Sequence, residues 1–128
     1  MHETSLVMNA IKLVVQDATR RRLTRITRID LEVGELSGAY PHALRESFPI
    51  ASKGSIAQDA ELVITEIPAT MHCSTCSTSF NPTISGWVCP SCGSGDCALI
   101  RGMELQVVSY TGEEDPDEHQ SGDWKGTS

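Results

Sequence analysis

Residues 4–19 read TSLVMNAIKLVVQDAT, and their apolar positions recur at a helical period. Val7, Ile11, Val14 and Ala18 fall on one face, with Ala10 and Leu13 beside them, so the segment predicts an amphipathic helix. Thr4 or Ser5 is the candidate N-cap, since a short side-chain oxygen there accepts from a free backbone N–H of the first turn. The period then changes. In RITRIDLEVGEL, residues 25–36, Ile26 leads into alternation at Ile29, Leu31 and Val33, and β-branched residues are frequent. This pattern predicts a strand from Thr27 to Glu35.

GELSGAYP breaks the pattern with two glycines and a proline. PHALRESFPIASK, residues 41–53, predicts a second helix, with Pro41 tolerated in its first turn. Pro49 is expected to kink or end that helix, because it lacks the N–H that the ladder needs. Glu61–Ile67 reads as a second strand, stopped by Pro68, and residues 103–110, MELQVVSY, as a third. Two helices on one face of a small three-stranded mixed sheet make an α+β core. A cysteine-rich segment interrupts it between the second and third strands. From Gly112 to Ser128 the chain is acidic and poor in apolar residues, which predicts disorder.

Composition adjusts this picture modestly. Apolar content of 39% and charged content of 21% are those of an ordinary globular domain. No apolar run approaches the roughly 20 residues that span a bilayer, and the start lacks the basic and apolar regions of a secretion signal. A cytoplasmic protein without membrane contact is the expectation. The formal charge of −7 is unevenly spread. From Glu113 onward there are six acids and one base, Lys125, so that stretch carries −5 and leaves −2 for residues 1–112. Arg20, Arg21, Arg22, Arg25 and Arg28 form the one basic patch, read as a solvated helix end where cations meet the negative pole of the macrodipole. A docking surface for an acidic partner is the alternative.

Five cysteines in a cytosolic chain argue against a disulfide scaffold. Cys73 and Cys76 make one C-x2-C, and Cys89 and Cys92 make another, followed by Gly93. A two-residue gap lets the chain fold back so that both sulfurs and nearby amides face one ion. Two such knuckles supply the four thiolates of a tetrahedral Zn²⁺ site. The segment from about residue 70 to 98 has few large apolar residues, such as Phe80, Ile84, Trp87 and Val88, and modules below about 40 residues rarely fold without a staple. A structural zinc contributes about 10–16 kcal/mol of apparent binding energy. Four thiolates leave no open position, so the zinc is expected to be structural. Cys97 and His72 are left over. Packing beside the ribbon and surface exposure are the simpler roles for them, with ligand substitution as the alternative.

The first residues, MHE, combine metal-capable groups. In the plain reading His2 and Glu3 only precede a helix, where an acid is favoured by the macrodipole. The chemical reading is sharper. The Met1 amine, the His2 amide nitrogen and the His2 imidazole close two fused chelate rings on one ion, and Glu3 adds a carboxylate oxygen or its own backbone nitrogen. Such a nitrogen-rich, roughly planar set suits Ni²⁺ or Cu²⁺. It would be open to solvent and of modest affinity, as suits a metal that is handed on.

MHE, LEVGELSG, GSIAQDAELVI, the paired C-x2-C with CPSCGS, and GMELQV occur in this order over about residues 1–110. Together they resemble the HypA/HybF family of nickel metallochaperones. The resemblance implies a nickel-binding α/β domain, residues 1–69 completed by 99–111. It also implies an inserted zinc-ribbon domain at 70–98, leaving an acidic tail at 112–128. By the same resemblance His2 is the essential nickel ligand, assisted by Met1 and Glu3, and Cys73, Cys76, Cys89 and Cys92 hold zinc. The implied function is delivery of Ni(II), as cargo and not as a resident cofactor, for [NiFe]-hydrogenase maturation. A HypB-type GTPase and the hydrogenase large-subunit precursor are the implied partners, with urease served in some bacteria and a homodimer left open. Pro49 and the acidic tail depart from the family pattern.

Two other classes compete. A zinc-ribbon module in a nucleic-acid or transcription complex is disfavoured because Met71–Cys97 contains no lysine or arginine. A hydrolase or redox enzyme lacks an open metal position and an assignable Ser-His-Asp set. His42, beside Pro41, reads as a helix-start residue, and His119 as part of the solvated tail. The chain is therefore expected not to be an enzyme and not to bind nucleic acid.

Overall fold

A computed structural model describes residues 3–114. Its elements run α1 (Glu3–Arg20), β1 (Leu23–Gly34), α2 (Pro41–Ser52), β2 (Glu61–Ile67), β3 (Thr70–Cys73), β4 (Ser79–Phe80), α3 (Pro82–Ser85), β5 (Cys97–Arg101) and β6 (Leu105–Glu114). The strands form two sheets. One has the order β2-β1-β6, with β1 parallel to β2 and antiparallel to β6; the other has the order β4-β3-β5 and is antiparallel throughout. The result is α+β, with the small second sheet inserted between β2 and β6.

The helical period read from the sequence is the buried face of α1. Val7, Ile11, Val14 and Ala18 are all in the core, and Leu44 and Phe48 bring α2 onto the same cluster. The sheet contributes Leu23, Ile26, Ile29, Leu31, Val33 and Tyr110. Both helices thus share one face of the first sheet, and each fully buried Ile or Leu there contributes about 1.5–3 kcal/mol. Leu13 is 65% exposed, since it lies about 100° round the helix from Val14.

Several expectations are corrected. α1 already includes Glu3, so Thr4 and Ser5 lie within the helix rather than at its cap. β1 begins at Leu23, four residues before Thr27, because bulges between Leu23/Arg25 and Ile26/Arg28 hide its early alternation. The arginine patch is therefore not one helix end. Arg20 and Arg21 pair with Asp17 at the end of α1, whereas Arg25 pairs with Glu113 and Arg28 with Asp30 on strands. Pro49 does not end α2, which runs on to Ser52. The buried positions of the helix are Leu44, Phe48 and Ser52, while Pro49 is exposed. β6 continues to Glu114, placing Gly112–Glu114 in the sheet where a disordered tail was expected to begin. The rest of that tail, including His119, lies outside the described residues.

The second sheet joins the first through a narrow neck. The Gly34 amide donates to the Glu104 carbonyl at 2.6 Å, the Glu35 amide to Ile67 at 2.8 Å, and the Leu36 amide to Gly102 at 2.7 Å. Gly34 abuts the Gly102 backbone so closely that a Cβ there would clash with it, and Gly102, at φ 122°, in turn presses on Ala69. These glycines permit a backbone approach that no larger residue allows.

Candidate metal centre

Two hairpin-like knuckles bring four cysteines together. In the first, the Cys73 amide donates to the Thr78 carbonyl and the Ser77 amide to the Cys73 carbonyl, both at 2.9 Å. In the second, the Cys89 amide donates to Ser94 and the Gly93 amide to Cys89, again at 2.9 Å. Each knuckle closes on a left-handed residue, Ser77 at φ 65° and Gly93 at φ 78°. A 3.0 Å hydrogen bond from the Thr75 hydroxyl to the Ser94 hydroxyl ties the two knuckles together.

The sulfur atoms of Cys73, Cys76, Cys89 and Cys92 all lie within 4.8 Å of one another. Cys73–Cys92 is 3.7 Å and Cys76–Cys89 is 3.6 Å. A tetrahedron with Zn–S bonds near 2.3 Å has sulfur edges of about 3.8 Å, so the set fits that ion. Cys73 and Cys89 are buried and Cys76 and Cys92 exposed. The amides of Cys76 and then Thr75 help bring the Cys73 thiol down to about 6, and the Thr78 hydroxyl and amide lower Cys76. Cys92 receives the Ser94 amide, yet burial and the other three sulfurs push it up to about 12. Four thiolates at this spacing repel one another, and a dication in their midst is what lets all four ionise.

Among the described residues this is the one group of three or more Cys, His, Asp or Glu side chains able to converge on an ion. Cys97 is half-buried, with its thiol 3.5 Å from the Ser94 carbonyl, and burial raises its pKa. His72 sits mid-strand in β3, opposite Ser79 and Ala98. His42 is exposed in the first turn of α2, 3.0 Å from Glu46.

The N-terminal set falls at the margin of the described chain. Glu3 opens α1, and Met1 and His2 lie outside the described residues. The pole of the fold to which α1 leads is nonetheless defined. The Tyr110 hydroxyl donates to Asp17 at 2.5 Å, fixing the late part of α1 beside the late part of β6. Leu6, Asp17, Leu105 and Tyr110 all line one groove, of about 530 Å³. The eleven helical steps from Leu6 to Asp17 and the five strand steps from Leu105 to Tyr110 each span about 16 Å. β1 turns back from the end of α1 after two residues and is antiparallel to β6, so α1 and β6 run in the same direction and α1 starts at the pole carrying the neck and the second sheet.

Glu35 stands at that neck. Its carboxylate accepts the Ala69 amide at 2.8 Å, the Asn81 side-chain amide at 3.0 Å and the Thr83 hydroxyl at 3.0 Å. The Ala69 amide first, then Asn81 and Thr83, hold this carboxyl below the usual range. Nothing in the sequence pattern marks Glu35. The two glycines within LEVGELSG mark a tight turn, but the partners of Glu35 lie 34 to 48 residues downstream.

The family model described as "Hydrogenase/urease nickel incorporation, metallochaperone, hypA" matches residues 1–112. The chain belongs to the HypA family. Its relatives include the hydrogenase maturation factor HypA of Chlorobium limicola, 37% identical over 114 residues, covering 89% of this chain and 98% of the relative. Another, the HypA of Chloroflexus aggregans, is 37% identical over 112 residues, covering 85% and 96%. The solution structure of the nickel metallochaperone HypA from Helicobacter pylori aligns with a TM-score of 0.63 at 26% identity, covering 90% of this chain and all of that one. Membership makes this a metallochaperone of nickel incorporation in hydrogenase maturation, with Ni(II) as cargo. Among the described residues no helix is long and apolar enough to cross a membrane.

Proposed function

We propose that this chain is a non-catalytic, cytoplasmic nickel carrier. Nickel is captured at the chain start by the Met1 amine, the His2 amide and imidazole, and Glu3. It then passes by ligand exchange, together with a HypB-type GTPase, to the hydrogenase large-subunit precursor. Cys73, Cys76, Cys89 and Cys92 hold a structural zinc that staples the inserted ribbon, residues 70–98.

The observation that carries this reading is the family match beginning at residue 1, so that it includes MHE. The fold supports it physically. α1 begins at Glu3, so residues 1 and 2 adjoin the positive pole of a helix dipole. A cation is not favoured there, whereas deprotonated ligands are, which suits a seat that binds nickel and releases it. The zinc assignment is supported by the tetrahedral sulfur spacing, and a closed four-thiolate site offers no position for substrate.

Nickel titration decides the matter. Protein with a free Met1 amine should bind one Ni²⁺ tightly. His2→Ala, and a version with extra residues before Met1, should lose that site while keeping zinc. Undiminished nickel binding in either variant would remove the mechanism.

A further inference from the structure

The ribbon is tethered through β2–β3 on one side and β5–β6 on the other, two strands of chain that would by themselves let it swing. The structure shows a third connection. Asn81 and Thr83 belong to the ribbon, in the turn and helix that follow β4, and both reach back to Glu35, which belongs to the α/β unit just beyond β1. The same carboxylate takes the Ala69 amide, at the point where the chain enters the ribbon. One side chain thus grips the ribbon at its root and at its flank. Asn81 is itself fixed, since its side chain accepts the Thr83 amide at 2.8 Å as the cap of α3. Beneath the grip, the glycine contacts of the neck keep the two entering strands in contact. All of this lies at the pole where α1 starts.

We propose that Glu35 is a positioning residue for nickel delivery: its carboxylate locks the zinc ribbon in one orientation at the pole of the fold where α1 begins. The delivery half of this statement rests on the nickel-carrier reading; the locking half does not. Locked, the ribbon and the α/β unit present a partner with a single composite surface. Unlocked, the ribbon samples many orientations, and a partner must pay the ordering entropy on each encounter.

The test uses the full, zinc-loaded chain with its free amine. Amide residual dipolar couplings from the α/β unit and the ribbon should fit one common alignment frame in the parent chain. In Glu35→Ala they should require two. Glu35→Gln, whose amide oxygen still accepts from Ala69 and Asn81, should restore one frame. Zinc content should stay at one per chain, and nickel affinity at the chain start should equal that of the parent. Nickel passage to the GTPase should slow several-fold in Glu35→Ala and recover in Glu35→Gln. Should Glu35→Ala lose zinc, the pair Asn81→Ala with Thr83→Val removes the ribbon's half of the grip and is read the same way. A single frame in the grip-deficient variant overturns the lock. Two frames with delivery at the parent rate overturn the positioning role. If the parent chain binds no nickel at its start, the carrier reading fails instead, and the frames still decide the lock.

Discussion

Gly34→Ala should be among the most damaging single-methyl additions to this chain. Gly34 is buried at the end of β1, and its φ is not in the left-handed region, so the effect is steric. A Cβ built there lies 2.7 Å from the Glu104 amide nitrogen and closer still to the Gly102 carbonyl, whereas ordinary contact begins at 3.4 Å. The obstructing atoms are all backbone and cannot rotate away. Relief requires β1 and the segment leading into β6 to part by roughly 1 Å, which takes the bonds from Gly34 to Glu104 and from Leu36 to Gly102 beyond hydrogen-bonding range. Two lost bonds at about 0.5–1.5 kcal/mol each, plus about 1–3 kcal/mol for a buried group left unpaired, come to roughly 2–6 kcal/mol. For a chain of this size each kcal/mol lowers Tm by about 4 °C, so the fall should be about 8–24 °C. Thermal unfolding of zinc-loaded protein, followed by far-ultraviolet circular dichroism, measures it. Gly95→Ala is the control: it meets open space at an ordinary φ and should be neutral or slightly stabilising. A Gly34→Ala variant within 1 kcal/mol of the parent would show that the neck is far more pliable than its contacts imply.

The zinc knuckles and the α1–β6 contact give three more expectations. Cys73→Ser should release zinc and abolish dispersed amide signals from the ribbon while those of the α/β sheet persist, because no strand pair of that sheet uses a ribbon residue; metal analysis and a nitrogen–proton correlation spectrum check both. Gly93→Ala has open space for its methyl but must hold φ 78°, so it should weaken the second knuckle by about 1–2 kcal/mol, read as faster zinc loss to a chelator. Tyr110→Phe removes the hydrogen bond that does most to depress the Asp17 carboxyl, ahead of its pairing with Arg21 and Arg20. A depressed carboxyl stabilises the fold above its ordinary value of 3.8 and loses that effect as pH falls through its folded pKa. The variant should therefore be less stable by about 1 kcal/mol at neutral pH, with the gap closing below pH 3.8 in urea titrations.

Periodicity made the long elements readable before any coordinates. Val7, Ile11, Val14 and Ala18 keep a helical period and all four are buried, and the second strand falls at Glu61–Ile67 as expected. Where the pattern misled, a local geometric device was responsible. The early part of β1 was missed because two bulges space Leu23, Ile26 and Ile29 by threes instead of twos. Pro49 looked like a stop because sequence does not say which side of a helix faces water. Gly112 looked like a tail residue, yet it sits in β6 against Leu23, where a side chain would collide. The four cysteines were legible because knuckle spacing is local and chemically specific. Glu35 was illegible for the opposite reason: a carboxylate's partners across long stretches of chain leave no mark on its neighbours.

The parallel run of α1 and β6 also decides where a reporter belongs. β6 ends at Glu114 opposite Leu23, at the start of β1, while α1 begins near the far end of that strand. Twelve strand residues separate the two ends by roughly 35–40 Å. A fluorophore attached at Glu114 therefore sits at the end of the sheet away from the neck. The same fluorophore on the Met1 amine would occupy a ligand of the proposed nickel seat.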